Sequence, residues 1–356
     1  MNSHLKIPLY MLVAMCLCLL HGLGTARAQD HDGSVVVPRQ CWSYATSDLD
    51  ARPSVVDAAN VYFTEKNDRV TAVSLVDGVR VWSTELDGPV VSNLVVNGST
   101  LAAAVLSRQN KLAIKSLSLV SGIVVDSTPL GSAAGAILVP SERGLIAIAE
   151  RRLFLNGRGS GSLREQATSA EAANGRIGVA GERTVYVGDI DLAIDASLAA
   201  AGAPSALEFT GDDILVGDER GALVRVDLSN GRPIWTLKTG GRITSIVPTT
   251  RSDAIVGSFD NFVYRVDLST GHVIWKKRQQ GRVAYVVAID DGLVAAYSTG
   301  GSAIELIDAG RGKARGAITL AEGVELLQPP LASPGGVIAA TTEGVALYST
   351  GPCPSK

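Results

Sequence analysis

Few residues of this chain have the types and spacing that chemistry requires. Outside an apolar start the histidines are His31 and His272, and His272 directly follows a turn glycine. A serine–histidine–aspartate relay needs a histidine held between nucleophile and carboxylate, and a histidine metal centre needs several converging ligands. Neither arrangement is set up by these two. Asp189-Ile190-Asp191 and Asp212-Asp213 are acid pairs able to hold a cation, yet Asp212-Asp213 opens a strand-like run, where aspartates usually solvate turns. Gly157-Arg158-Gly159-Ser160-Gly161 lacks the spacing of a nucleotide cradle and no helical pattern follows, so it reads as a flexible loop. Asn97-Gly98-Ser99 fits a glycosylation acceptor, but Asn-Gly between apolar runs is also a hairpin turn, which we prefer.

The elements that would position any site are repeats. Asp253 to Trp275 reads DAIVGSFDNFVYRVDLSTGHVIW, and Asp213 to Trp235 reads DILVGDERGALVRVDLSNGRPIW. Asp227 matches Asp267, Gly231 matches Gly271, and Trp235 matches Trp275 without a gap. A third copy runs from Asn60 to Trp82, and weaker copies fill the spaces between. A period near forty residues, built of short strands with no helical pattern, predicts an all-β propeller of four-stranded antiparallel blades. Strand endings fall near residues 82, 126, 163, 197, 235, 275 and 316, with a final unit from Gly336 to Gly351 that lacks its last strand. Cys41-Trp42-Ser43-Tyr44 is a lone strand ending at the other end of the chain. Inserted into the final unit it makes eight blades and closes the ring, which hides the sheet edges. Trp42, Trp82, Trp235 and Trp275 recur at one phase, so they are expected to dock blade on blade rather than clamp a ligand.

Residues 1–28 form a basic start, an apolar run from Ile7 to Leu20 and an Ala26-Arg27-Ala28 cleavage site, the pattern of a secretory signal peptide. Its apolar part is too short for a membrane span, and none of spanning length follows. Cys16 and Cys18 lack the preceding small residue of a lipoprotein site. The chain is therefore expected to be periplasmic or secreted, with cleavage near Ala28, a flexible tail over 29–40, a single propeller over 41–353 and a short tail over 354–356. Of its four cysteines the mature chain keeps Cys41 and Cys353. In an exported protein these two would meet at the ring seam as a disulfide; the alternative is two separate buried thiols. Without the leader the chain carries 30 basic and 35 acidic residues, a net charge of −5. With 5% aromatic residues, nothing here suggests nucleic-acid binding.

Topology limits where binding can occur. The turns between second and third strands (Lys66-Asn67-Asp68, Asp218-Glu219-Arg220, Asp260-Asn261) share a rim with the blade-to-blade links, and the Asp-x-x-x-Gly turns occupy the other. Arg242, Arg278 and Arg282 lie in those links and form a candidate binding rim around the channel mouth; otherwise they solvate tight turns or pair with acids. Arg151, Arg152, Arg158 and Arg164 are a second basic stretch open to the same two readings.

VYRVDLSTGHVIWKK (Val263 to Lys277) and VRVDLSNGRPIWTLK (Val224 to Lys238) resemble the repeat of pyrroloquinoline-quinone-type propellers, apolar-x-Asp-x-x-Thr-Gly-x-x-x-Trp. That repeat is shared by quinone-dependent alcohol and sugar dehydrogenases and by non-catalytic eight-bladed proteins similar to the B subunit of the outer-membrane barrel-assembly machinery. The enzymes' pattern includes adjacent cysteines over the cofactor, a catalytic aspartate and acidic Ca²⁺ ligands in a longer chain. No adjacent cysteines occur here. We therefore expect no cofactor, no metal and no catalytic residue. The resemblance implies a monomeric scaffold binding proteins of the cell envelope, with a degenerate quinone or sugar enzyme and a ligand-sensing surface propeller as alternatives.

Overall fold

The computed structural model describes residues 35–250, 252–290, 292–334 and 336–355. They belong to the compact unit Val35–Lys356. The expected signal peptide, its expected cleavage site and His31 lie outside the described residues.

Eight four-stranded antiparallel sheets follow one another along the chain. We number them as blades 1 (55–85), 2 (95–131), 3 (137–162), 4 (169–199), 5 (204–238), 6 (243–278), 7 (283–319) and 8 (331–349), the last completed by the N-terminal strand Arg39–Ala45. First strands of successive blades touch each other around the ring and back to blade 1, so they line its centre.

Burial explains the sequence pattern. Second strands are packed on both faces, and Asp253–Ser258, Leu293–Ser298 and Gly336–Thr341 are buried at every position. Two covered faces demand apolar residues in unbroken runs. Fourth strands are the outer edges, and Val273–Arg278 alternates exposed and half-buried residues. Eight apolar clusters fill the gaps between blades, each joining two neighbours. One joins blades 5 and 6 through Leu215, Leu223, Ile246 and Tyr264.

The seam forms as the sequence suggested. Arg39–Ala45 pairs antiparallel with Gly344–Ser349, matching Trp42 with Leu347. Cys41 and Cys353 are disulfide-bonded, with Cα atoms 5.5 Å apart. Part of the stretch read as a tail is ordered against the fold: the closing strand starts at Arg39, and the Val36 amide donates to the Arg315 carbonyl. Gly157 to Gly161 differs from expectation too. Arg158–Ser162 is the outer strand of blade 3 rather than a loop.

Candidate functional site

Each repeated tryptophan acts across a blade boundary. The indole N–H of Trp42 donates to Leu75 O, that of Trp82 to Leu119 O, that of Trp235 to Leu268 O and that of Trp275 to Ala309 O, at 2.7–3.1 Å. Every acceptor directly follows the first residue of the next blade's third-to-fourth turn. The turn glycine lies beneath the ring. A Cβ on Gly78, Gly122, Gly271 or Gly312 would stand 2.5–2.8 Å from Trp42, Trp82, Trp235 or Trp275 respectively. Glycine is required there twice over, because these positions have φ of +68° to +73° and no room for a side chain. In blade 7 the pattern is Asp308-x-x-x-Gly312, so Gly312, not Gly310, is the turn glycine.

At three of the four boundaries without a tryptophan, something else fills its place. In blade 2 the position is Asp126, and the nearby Thr128 methyl sits on Gly157 of blade 3. In blade 3 it is Gly161, paired with Leu153. Here the roles reverse: the next turn carries Leu192 (φ +70°) instead of glycine, and its buried side chain packs on Leu153 and Leu163. In blade 7 it is Gly316, covered by the Val36 backbone.

Asp213 is not a solvated turn residue: its carboxylate is paired with Arg225. Arg225 Nε donates to its Oδ2 at 2.7 Å and Arg225 Nη1 to Leu268 O of blade 6. Arg265 repeats this one blade on, joining Asp253 at 2.6 Å and Gly310 O at 2.7 Å. Asp189 accepts the Asp191 and Ala193 amides in its own turn. Gly98 (φ +61°) turns a hairpin between Val95–Asn97 and Thr100–Leu106. Among the described residues no three histidine, cysteine or acidic side chains come together to hold a metal ion.

On the rim of the blade links, Phe259 directly follows the second strand of blade 6, Asp253–Ser258. The Arg242 guanidinium lies 5.1 Å from its ring centroid and that of Arg282 5.9 Å. Arg242 also pairs with Glu219 at 3.4 Å. The link is pinned by its backbone: Phe259 N donates to Arg242 O, Gly240 N to Asp260 Oδ2, and Thr299 N to Arg282 O. Two cations thus share one half-exposed ring at the channel mouth. Arg278 is not part of that cluster. It is exposed at the end of Val273–Arg278 and lines a polar hollow with Gln279, Gln280 and Ser298 between blades 6 and 7. Sequence reading found the arginines by phase but missed Phe259, which no repeat position announces.

The channel wall holds another feature the sequence did not reveal. At one register position of the first strands stand Val55, Val95, Val247, Val287 and Leu331, while blades 4 and 5 carry Glu171 and Glu208 there. Burial raises the Glu171 carboxyl to about 7, partly offset by the Phe209 amide. Burial and the adjacent Glu171 raise Glu208 to about 8.

A family model described as outer membrane protein assembly factor BamB matches residues 29–125 and 153–347. No curated protein sequence matches significantly. Among solved structures, the computationally designed Ika8 protein superposes with a TM-score of 0.73 at 13% identity, over 87% of this chain and 99% of that one. BamB from Moraxella catarrhalis gives 0.67 at 14% identity, over 88% and 97%. The WD40 β-propeller domain of Doa1 gives 0.60 at 15%, over 90% and 99%. At these identities the structural likeness speaks for the fold alone.

Proposed function

The chain belongs to the family of the outer membrane protein assembly factor BamB, and from that premise we propose an exported, non-catalytic scaffold that binds proteins of the cell envelope during outer-membrane protein assembly. The protein works as a monomer, periplasmic or secreted after cleavage near Ala28. The observation that carries this reading to a surface is the Arg242–Phe259–Arg282 cluster. An aromatic ring between arginines on a rigid rim has the composition of an energetic centre in protein interfaces. It suits an acidic or aromatic partner surface. The eight blades hold that rim still while leaving its loops free to vary.

The test is affinity capture from an envelope extract with the tagged wild type and with Arg242→Ala/Arg282→Ala. Recovery of outer-membrane assembly proteins by the wild type, reduced roughly tenfold by the double variant, is expected. Equal recovery by both removes this rim from the interaction, and recovery of no assembly protein by the wild type overturns the function.

A further inference from the structure

One blade boundary has only a methyl group at its tryptophan position. In blade 4 the residue there is Ala196, opposite Val187, and blade 5 presents the turn Asp227-Leu228-Ser229-Asn230-Gly231. Gly231 has φ +67°, like the glycines under the four indoles, but a Cβ on it would meet only Leu198 Cδ2, at 3.5 Å. Gly78, Gly122 and Gly271 are buried, whereas Gly231 is exposed. Leu198, two residues past Ala196 as Thr128 is past Asp126, stands off Gly231, its Cδ2 3.5 Å from the added Cβ where the indoles come within 2.5–2.8 Å. What remains is a cavity of about 300 Å³ running from Gly231 and Pro233 along Val226 and Val224 toward Asp218, roofed by Leu198.

We propose that this cavity is a docking slot for the indole side chain of a tryptophan carried by a partner polypeptide. The molecule itself supplies the precedent. At four other boundaries the same glycine turn accepts an indole, whose N–H donates to the carbonyl corresponding to Leu228 O. The walls are aliphatic, as an indole requires. The mouth lies at Gly231, Pro233 and Thr236, all exposed on the outer side of the blade, so a side chain reaches it without entering the channel. A neutral, chain-borne indole fits better than free tryptophan. Asp218 is the charged residue lining the cavity, and its Oδ1 already accepts the Arg220 and Ala222 amides, leaving the ligand's ammonium and carboxylate poorly served. The slot rests on the scaffold reading only for the source of the indole, and it is separate from the arginine rim.

The test titrates N-acetyl-L-tryptophanamide into the ¹⁵N-labelled protein, with L-tryptophan and indole as comparison ligands. Saturable amide shifts centred on Gly231 and Ala200 are expected for the amide. Ala196→Trp, which supplies the missing ring from within, should weaken that binding at least roughly tenfold. Should that variant not fold, wild-type intermolecular Overhauser contacts from the indole to the Leu198 and Val226 methyls serve instead. No saturation by roughly 10 mM, contacts at another place, or unchanged binding by a folded Ala196→Trp would each overturn the slot. Binding of indole or L-tryptophan but not of the amide assigns the cavity to a small metabolite and equally defeats the proposal. The rim variant Arg242→Ala/Arg282→Ala should bind the amide as the wild type does, so loss of rim function leaves this result readable.

Discussion

Replacing Gly122 and Gly98 separately by alanine isolates the contact between indole and turn glycine. Both have left-handed backbone, φ +71° and +61°. Alanine in that region costs about 1–2 kcal/mol, offset by about 0.4–1 kcal/mol from a stiffer unfolded chain. At Gly98 nothing lies within 4 Å of the new methyl, so Gly98→Ala should cost roughly 1 kcal/mol. At Gly122 the methyl would stand 2.5 Å from Trp82 Cε3 and 2.7 Å from Thr84 Oγ1. Neither group moves freely: Trp82 Nε1 is bonded to Leu119 O and Thr84 Oγ1 to Gly122 O, both at 2.8 Å. Displacing them adds about 1–3 kcal/mol of overpacking and about 1 kcal/mol for a lost hydrogen bond. Gly122→Ala should therefore cost about 2–4 kcal/mol more than Gly98→Ala. Urea titration followed by circular dichroism and fluorescence, with coincident transitions, reads this difference. In a Trp82→Ala background, itself about 3–5 kcal/mol less stable, the gap should shrink to about 1 kcal/mol, the part due to the Thr84 hydroxyl, which still faces the new methyl. A gap below about 0.5 kcal/mol in the wild-type background, or one left undiminished by removal of Trp82, refutes the blade-locking role.

Other consequences are open to direct measurement. Cys41→Ser/Cys353→Ser should lower stability by about 3–5 kcal/mol through release of the seam, and the oxidised wild type should weigh two protons less than the reduced chain; free thiols at both positions in native protein would count against the staple. Because Glu208 and Glu171 titrate at about 8 and about 7 rather than at 4.5, the folded protein holds protons that the unfolded chain has released. The stability these two groups contribute is thus fully present below about pH 4.5 and is lost as pH rises toward 8; Glu208→Gln should flatten that decline and raise stability at pH 8 by about 1–2 kcal/mol, after allowance for partial exposure. An identical pH slope in the variant would refute the acid pair. Arg225→Ala strands the largely buried Asp213 carboxylate and should cost about 3–5 kcal/mol, and a loss within about 0.5 kcal/mol would show that water replaces the pair. Calorimetry with pyrroloquinoline quinone and Ca²⁺ should show no saturable heat, and a measurable one would restore the enzymatic alternative.

The sequence by itself determined the blade. Alternating strands, the Asp-x-x-x-Gly turn and a tryptophan at constant phase are local features, each set by hairpin geometry within about forty residues. It also showed that the chain ends complete one another, since an orphan Cys41-Trp42 strand and a unit lacking its last strand have no other economical solution. The arginines of the rim were legible by phase. What the indoles rest on was not, because each contact joins positions from different repeats, and periodicity says where a side chain lies in its own blade without saying what faces it. Only the tertiary structure shows Leu192 taking up space left by Gly161, Val36 covering Gly316, and Phe259 drawing Arg242 and Arg282 together. For the same reason Glu171 and Glu208 look unremarkable in the sequence and become two carboxyls held protonated by burial once the ring sets blade 4 beside blade 5. The slot over Gly231 is likewise a property of two blades at once. Its walls are Leu198 to Ala201 of blade 4 on one side and Val224, Val226 and the Gly231 turn of blade 5 on the other.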